Sequence, residues 1–203
     1  MRMRKKKNGA ARMLACDEYI IHNKDEIVNL PVQLEIGCGK GAFISALSKK
    51  CPDVNYIAIE KMSDVMLLAA EKIKAEGITN VKLLNTDARN LSELFPSSSV
   101  DRIYLNFSDP WPKKGYAKRR LTHRGFLEIY KTILSECGEI VFKTDNDGLF
   151  DFSLEEFKAA GFKLKELTYD LHSSEYNSDN IMTEYEKNFS EKGFTIKRVV
   201  AYL

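Results

Sequence analysis

Cysteines are few and never close together: Cys16, Cys38, Cys51 and Cys137 give no C-x-x-C pair, so neither a disulfide framework nor a zinc ligand set is suggested. They read as reduced thiols. The three histidines, His22, His123 and His172, are scattered and are assigned no role, and no metal is expected. No apolar run approaches the ~20 residues that a membrane span requires, so no membrane partner is expected. The segment MRMRKKKNGAAR lacks the apolar stretch of a secretory signal, and the expectation is a cytoplasmic protein. Internal repeats and low-complexity linkers are also missing. At 203 residues and 44% hydrophobic, the chain suits one domain over 1–203, its oligomeric state open between monomer and homodimer.

What is present is unevenly placed. The net charge is only +2, yet residues 1–12 hold six basic side chains and no acidic one (Arg2, Arg4, Lys5, Lys6, Lys7, Arg12). Residues 113–124 hold another six: Lys113, Lys114, Lys118, Arg119, Arg120 and Arg124. Concentrated basicity is what contact with a polyanion requires, although a charge run alone is usually a solvated surface. The first run, 1–12, reads as a basic arm without fixed structure.

Apolar strand-like segments alternate with helical patterns from residue 32 onward. That alternation predicts an α/β, Rossmann-like, doubly wound and mainly parallel sheet covered by helices. Strands are expected at 32–36, 54–60, 81–85, 100–106 and 138–143, with helices at 41–50, 62–76, 122–135 and 147–160. The segments 162–171 and 194–203 are strand-like with no clear crossover helix between them, which predicts an antiparallel C-terminal strand pair.

EIGCGKG at 35–41 falls where the first strand turns into the first helix, and Gly37 and Gly39 let the backbone approach a nucleotide there. The spacing is neither the dinucleotide G-x-G-x-x-G nor a phosphate loop. Glu35 would crowd a pyrophosphate but can accept from the amino-acid end of a cationic cofactor, which favours S-adenosylmethionine over a nicotinamide dinucleotide. Glu60 ends the second strand, where a carboxylate can accept both ribose hydroxyls. Asp87 follows the third strand, where it or the neighbouring backbone can meet the adenine amino group. Any one of these acids alone would read as a surface carboxylate; three at successive strand ends read as a cofactor site.

After the fourth strand comes NFSDPWPKKGYAKRRLTHRGF at 106–126. Two prolines fix the backbone on either side of Trp111 and hold Asp109 and the indole beside the cofactor pocket. A plain proline-rich turn would not be followed at once by six basic residues.

With these segments, EIGCGKG, IAIEK at 57–61, NTDA at 85–88, NFSDPWPKK at 106–114, KRRL at 118–121, FKTDN at 142–146 and MTEYE at 182–186, the chain resembles the bacterial tRNA (guanine-N7)-methyltransferases. The resemblance covers nearly all of 30–203. It implies S-adenosylmethionine as methyl donor, held by Glu35, Gly37, Gly39, Glu60, Asp87 and Asp109, with Asp109 also catalytic. It implies a tRNA partner, a guanine of the variable loop as acceptor, and a target nucleotide met by Lys113, Asp145, Thr183, Glu184, Tyr185 and Glu186. RNA contacts are implied for Gly115, Tyr116, Ala117, Lys118, Arg119 and Arg120. The sequence departs from the family at GYA (115–117), often more basic, and at NGAA (8–11), often containing a tryptophan.

The chemistry follows independently, because guanine N7 carries an in-plane lone pair and no proton. A general base is unnecessary. Catalysis then consists of placement and of stabilising the positive charge that moves onto the ring. Carboxylates suit that task, and Trp111 offers a stacking face. A methyltransferase acting on another RNA acceptor atom stays open, since fold alone does not choose the acceptor; a nicotinamide-dependent oxidoreductase and a non-catalytic RNA-binding module leave Glu35 and the DPWP segment respectively without a purpose.

Overall fold

Residues 8–203 are described by a computed structural model of the protein. Most of the expected N-terminal arm, Arg2 to Lys7, lies outside them. Its last residues do not match the expectation of a structureless arm: Gly9–Leu14 form a short helix, α1, and Arg12 forks onto Glu71 with two 2.7 Å bonds.

The strands are β1 (Ile20–Ile21), β2 (Val32–Ile36), β3 (Tyr56–Ile59), β4 (Val81–Leu84), β5 (Val100–Asn106), β6 (Leu134–Thr144), β7 (Lys163–Thr168) and β8 (Lys197–Tyr202). The helices after α1 are α2 (Ala42–Lys50), α3 (Ser63–Ala75), α4 (Leu91–Leu94), α5 (Arg124–Ile133), α6 (Asp147–Ala159) and α7 (Glu184–Ser190). One eight-stranded sheet runs β1-β4-β3-β2-β5-β6-β8-β7. Pairings from β1 through β6 are parallel, and β8 is antiparallel to both β6 and β7.

Parallel strands covered on both faces need apolar side chains on both, and successive residues alternate between the two. In β3 this is visible residue by residue. Ile57 and Ile59 join Leu127, Tyr130, Phe150 and Phe157 from α5 and α6, while Tyr56 and Ala58 join Ile44, Leu47, Met66 and Ile73 from α2 and α3. The sheet is therefore doubly wound. Gly41 opens α2 with φ +77°, and a Cβ there would stand 2.9 Å from the Ala69 Cβ, so the close approach of α2 to α3 requires glycine.

Four features lie outside the expected pattern, one of them the four-residue helix α4 between β4 and β5. β6 begins at Leu134, four residues early, because a bulge opposite Val100 and Arg102 carries extra residues. The two-residue β1 adds an edge strand beside β4. Between β7 and β8 a short helix, α7, stands where no clear crossover helix was expected; Thr183 and Glu186 close a capping box at its start. No helix among the described residues is long and apolar enough to cross a membrane, and no cluster of three or more metal-binding side chains occurs among them.

Candidate active site

The chain leaves β2 toward β3 and β4, then returns to the other side of β2 as β5, so the strand order reverses between β2 and β5. A crevice opens outside the carboxyl ends of strands at such a reversal. Here it is a cleft of about 730 Å³ lined by Gly37, Glu60, Asp87, Phe107, Asp109 and Trp111, among others. A smaller lobe of about 360 Å³ lies beside it, between Glu35, Gly39, Phe107 and the α7 residues Glu184 and Tyr185.

Glu35 forms the floor. It is 3% exposed, and its Oε1 accepts from Asn106 Nδ2 at 3.2 Å, since β2 and β5 run side by side. Burial pushes its carboxyl up to about 7, against the opposing pull of the Asn106 bond and the Lys143 charge. Glu35 Oε2, Asn106 Oδ1 and Ser108 Oγ are buried with no partner among the described residues. Glu35 lines the smaller lobe, Ser108 the larger cleft and Asn106 both; buried polar atoms are ordinarily satisfied, so open oxygens where the two pockets adjoin point to a ligand that donates hydrogen bonds. An ammonium group fits; a pyrophosphate does not. Nothing lies within 4 Å of where a Cβ would stand on Gly37 (φ +81°) or Gly39 (φ +57°), so the turn leaves backbone-sized room for a ligand.

Glu60 sits just past β3 with both oxygens aimed at neighbouring turns: Oε2 accepts from Gly39 N at 3.2 Å and Oε1 from Met62 N at 2.9 Å. That fixes the carboxylate at the cleft wall. Asp87 is more committed. Its oxygens accept from Arg89 Nε and Nη2 (3.0 and 2.8 Å), from Arg89 N (3.0 Å) and from Lys61 Nζ (2.7 Å), with Arg89 foremost in holding the carboxyl well below the usual range.

Beyond Asn106 the backbone enters left-handed conformations at Phe107 (φ 51°) and Trp111 (φ 41°). For residues with a Cβ each costs on the order of 1–3 kcal/mol, and such strain gathers at functional sites. Asp109 is exposed to the cleft and makes no hydrogen bond or ion pair among the described residues. Its carboxylate is thus uncommitted. Lys113 leads into a short helical turn, Lys114–Arg119, that contains Gly115, Tyr116, Ala117 and Lys118. Lys113, Lys114 and Lys118 are exposed and without ion pairs among the described residues. Arg119 stands over Trp111 at 4.9 Å and over Tyr116 at 4.6 Å. Arg120 turns inward instead, toward the Pro110 and Trp111 carbonyls.

The α7 segment is anchored from beneath. Glu186 is fully buried and accepts from Lys143 Nζ (2.6 Å), His172 Nε2 (2.9 Å) and Asn180 Nδ2 (2.6 Å). Lys143, 3% exposed, also donates to Asn180 Oδ1 and to the Ile181 carbonyl. Burial pushes Glu186 up, but Lys143, His172 and Asn180 together outweigh it, and the carboxyl is held below its ordinary value. Thr183 is buried as the helix cap. Thr183 and Glu186 therefore lie under the surface. Glu184 is exposed and 3.6 Å from Lys40; Tyr185 donates to Asp145 Oδ2 at 3.5 Å and packs on Phe107 with ring centroids 5.0 Å apart. Asp145 and Tyr185 are so joined to the end of β5.

Lys143, Asn106 and Asn180 were not singled out from the sequence, and His172, which was assigned no role there, is held by its bond to Glu186. The one signal for Lys143 is a cation interrupting the apolar strand GEIVFKT.

The architecture is that of S-adenosylmethionine-dependent methyltransferases: one such enzyme from Aquifex aeolicus, 16% identical, aligns over 97% of this chain and 98% of its own with a TM-score of 0.55. Within that class, the family model described as "Putative methyltransferase" matches residues 29–199. The tRNA (guanine-N(7)-)-methyltransferases of Streptococcus agalactiae serotype III (strain NEM316) and Macrococcus caseolyticus (strain JCSC5402) are each 47% identical to it, over 99% of this chain and 99% of theirs. The chain belongs to the tRNA (guanine-N(7)-)-methyltransferase family.

Proposed function

We propose that this protein transfers the methyl group of S-adenosylmethionine to N7 of a guanine in tRNA, with the variable loop as the site that the family resemblance implies. The observation that carries the reading is the pairing of two features in adjoining pockets that share Gly37, Asn106 and Phe107. On one side are the unpartnered acceptors Glu35 Oε2 and Asn106 Oδ1; on the other is the uncommitted Asp109 on a strained loop.

Glu35 and Asn106 would receive the cofactor's ammonium group, and Glu60 its ribose hydroxyls while keeping its backbone bonds. Gly37 and Gly39 give room for its amino-acid end. The Asp87 carboxylate is already crowded by Lys61 and Arg89, which leaves the neighbouring backbone as the contact for adenine. When bound there, S-adenosylmethionine supplies an electrophilic methyl group on a positively charged sulfur.

Guanine N7 presents its lone pair without losing a proton, so no base is assigned. Asp109 faces the place where positive charge spreads into the ring and stabilises it there; a carboxylate already in position needs no reorganisation when the charge develops. Asp145, steadied by Tyr185, would accept from guanine N1–H and the exocyclic amine, a donor pair that adenine does not present in that arrangement. Lys113 would donate to O6 or to a phosphate. Trp111 offers the base a stacking face once Arg119 moves off it toward the RNA backbone. Lys118 and the exposed turn at Gly115, Tyr116 and Ala117 would follow the same backbone. Glu184 and Tyr185 border the nucleotide, while Thr183 and Glu186 hold them in place from below. A tRNA substrate puts the protein in the cytoplasm.

A tRNA carrying 7-deazaguanine at the accepting position keeps the Watson–Crick edge and the stacking face but replaces the nucleophile with C–H. Binding is expected to persist and methyl transfer to vanish. Methylation of that RNA at a normal rate would remove the N7 assignment.

A further inference from the structure

The loop Asp109-Pro110-Trp111-Pro112 has an unusual supply problem. Its two prolines have no N–H, and Trp111 is left-handed in front of a proline, a place where extended backbone is preferred. The loop cannot be stitched by its own backbone. Its carbonyls are held from outside by one side chain: Arg120 Nε donates to the Pro110 carbonyl at 2.9 Å, and Arg120 Nη2 to the Trp111 carbonyl at 3.0 Å.

The clamp is itself seated on α6. The Arg120 guanidinium lies 4.2 Å over the Phe152 ring. Just after it, Thr122 Oγ1 and Ser153 Oγ share a buried 2.7 Å bond, and Arg124 donates to both Glu156 oxygens, 2.6 Å from its backbone N and 2.7 Å from Nη2. A path of direct contacts thus runs from the core helix α6 through Arg120 to the peptides flanking Trp111. Neighbouring Lys113, Lys114 and Lys118 show no such commitments among the described residues.

We infer that Arg120 is a positioning residue, which holds Asp109 and Trp111 at the cleft, and that it is not one of the RNA contacts its place in a basic run suggests. Its value to catalysis rests on the methyl-transfer reading above; its value to the loop does not. An arginine is required, because two carbonyls are engaged by a planar fork that lysine's single ammonium cannot reproduce.

Trp111 is the only tryptophan in the chain, so its fluorescence reports on this loop alone. Three variants are compared with wild type: Arg120→Lys, Arg120→Ala and Lys118→Ala, with far-UV circular dichroism to establish folding. For both Arg120 variants the acrylamide quenching constant of Trp111 is expected to rise at least twofold and kcat to fall tenfold or more. Their tRNA affinity and its salt slope should stay within twofold of wild type. Lys118→Ala should do the reverse, lowering tRNA affinity and its salt slope without changing Trp111 quenching. The Lys variant is the decisive one, since it keeps the charge and is the milder change should Ala unfold. Wild-type quenching and kcat in Arg120→Lys would overturn the inference, as would a loss of affinity and salt slope matching that of Lys118→Ala. If no variant or wild type transfers methyl groups, the quenching result still decides whether the clamp exists, and only the proposed function fails.

Discussion

Acidifying the protein through pH 7 in the presence of S-adenosylhomocysteine titrates Glu35, and the ligand's ammonium group should feel it. Burial places this carboxyl at about 7 in the free protein, against an ordinary value of 4.5. The ammonium needs the ionised form, so binding below pH 7 must expel a proton. Affinity should be level above pH 7 and fall toward tenfold per pH unit below it. Between pH 8 and pH 6 the loss is about tenfold, or about 1.4 kcal/mol. Calorimetry at pH 6 in two buffers of different ionisation enthalpy should show roughly 0.9 proton released per ligand bound. Glu35→Gln should bind more weakly at pH 8 and lose the slope. The free protein carries the opposite sign. Because the folded value is raised, the stability this group contributes is fully present below about 4.5 and lost as pH rises through 7, so Glu35→Gln should stabilise the ligand-free protein at pH 8 by up to about 3 kcal/mol. A flat affinity profile in wild type, or an unchanged slope in Glu35→Gln, would refute the assignment of Glu35 to the ammonium.

Glu60→Ala should weaken S-adenosylhomocysteine binding by on the order of 1.5–3 kcal/mol, read by calorimetry, with tRNA affinity nearly unchanged; full ligand affinity would remove Glu60 from the ribose. Asp109→Ala should cut turnover by roughly a hundredfold or more at saturating cofactor while tRNA binding and melting temperature hold, because the carboxylate has no structural partner among the described residues. Turnover within a few fold of wild type would demote it to a turn residue. Lys143→Met leaves Glu186 buried without its cation and should lower unfolding free energy by about 3–5 kcal/mol in denaturant titrations. A loss under 1 kcal/mol would mean the pair does not anchor α7.

The sheet was legible because strands buried on both faces read as short apolar runs, and those at 32–36 and 100–106 coincide with β2 and β5 to the residue. In the antiparallel end only β8 is such a run; β7 was legible from its alternation, with exposed and half-buried residues in turn. Short pieces were not: two residues of β1 and four of α4 carry too little periodicity to register. The helix α7 did carry a signal, since Thr183-x-x-Glu186 is the spacing of a capping box. Direction was the second thing composition could not supply. Arg120 sits in a basic run yet points at carbonyls, and Glu186 sits in a polar segment yet is buried under it. Both depend on where distant α6 and β6 place their partners. Asp87 illustrates the converse, an acid correctly placed at a strand end whose capacity Lys61 and Arg89 already fill.

Every role assigned above serves methyl transfer from S-adenosylmethionine to guanine N7 in tRNA. It is tested most directly by incubating the protein with labelled cofactor and unmodified tRNA, then digesting the RNA and separating the nucleosides by mass. Label is expected in 7-methylguanosine alone. Label in a base-, ribose- or amine-methylated nucleoside of any other kind would contradict it, as would the absence of labelled RNA from protein that binds both partners.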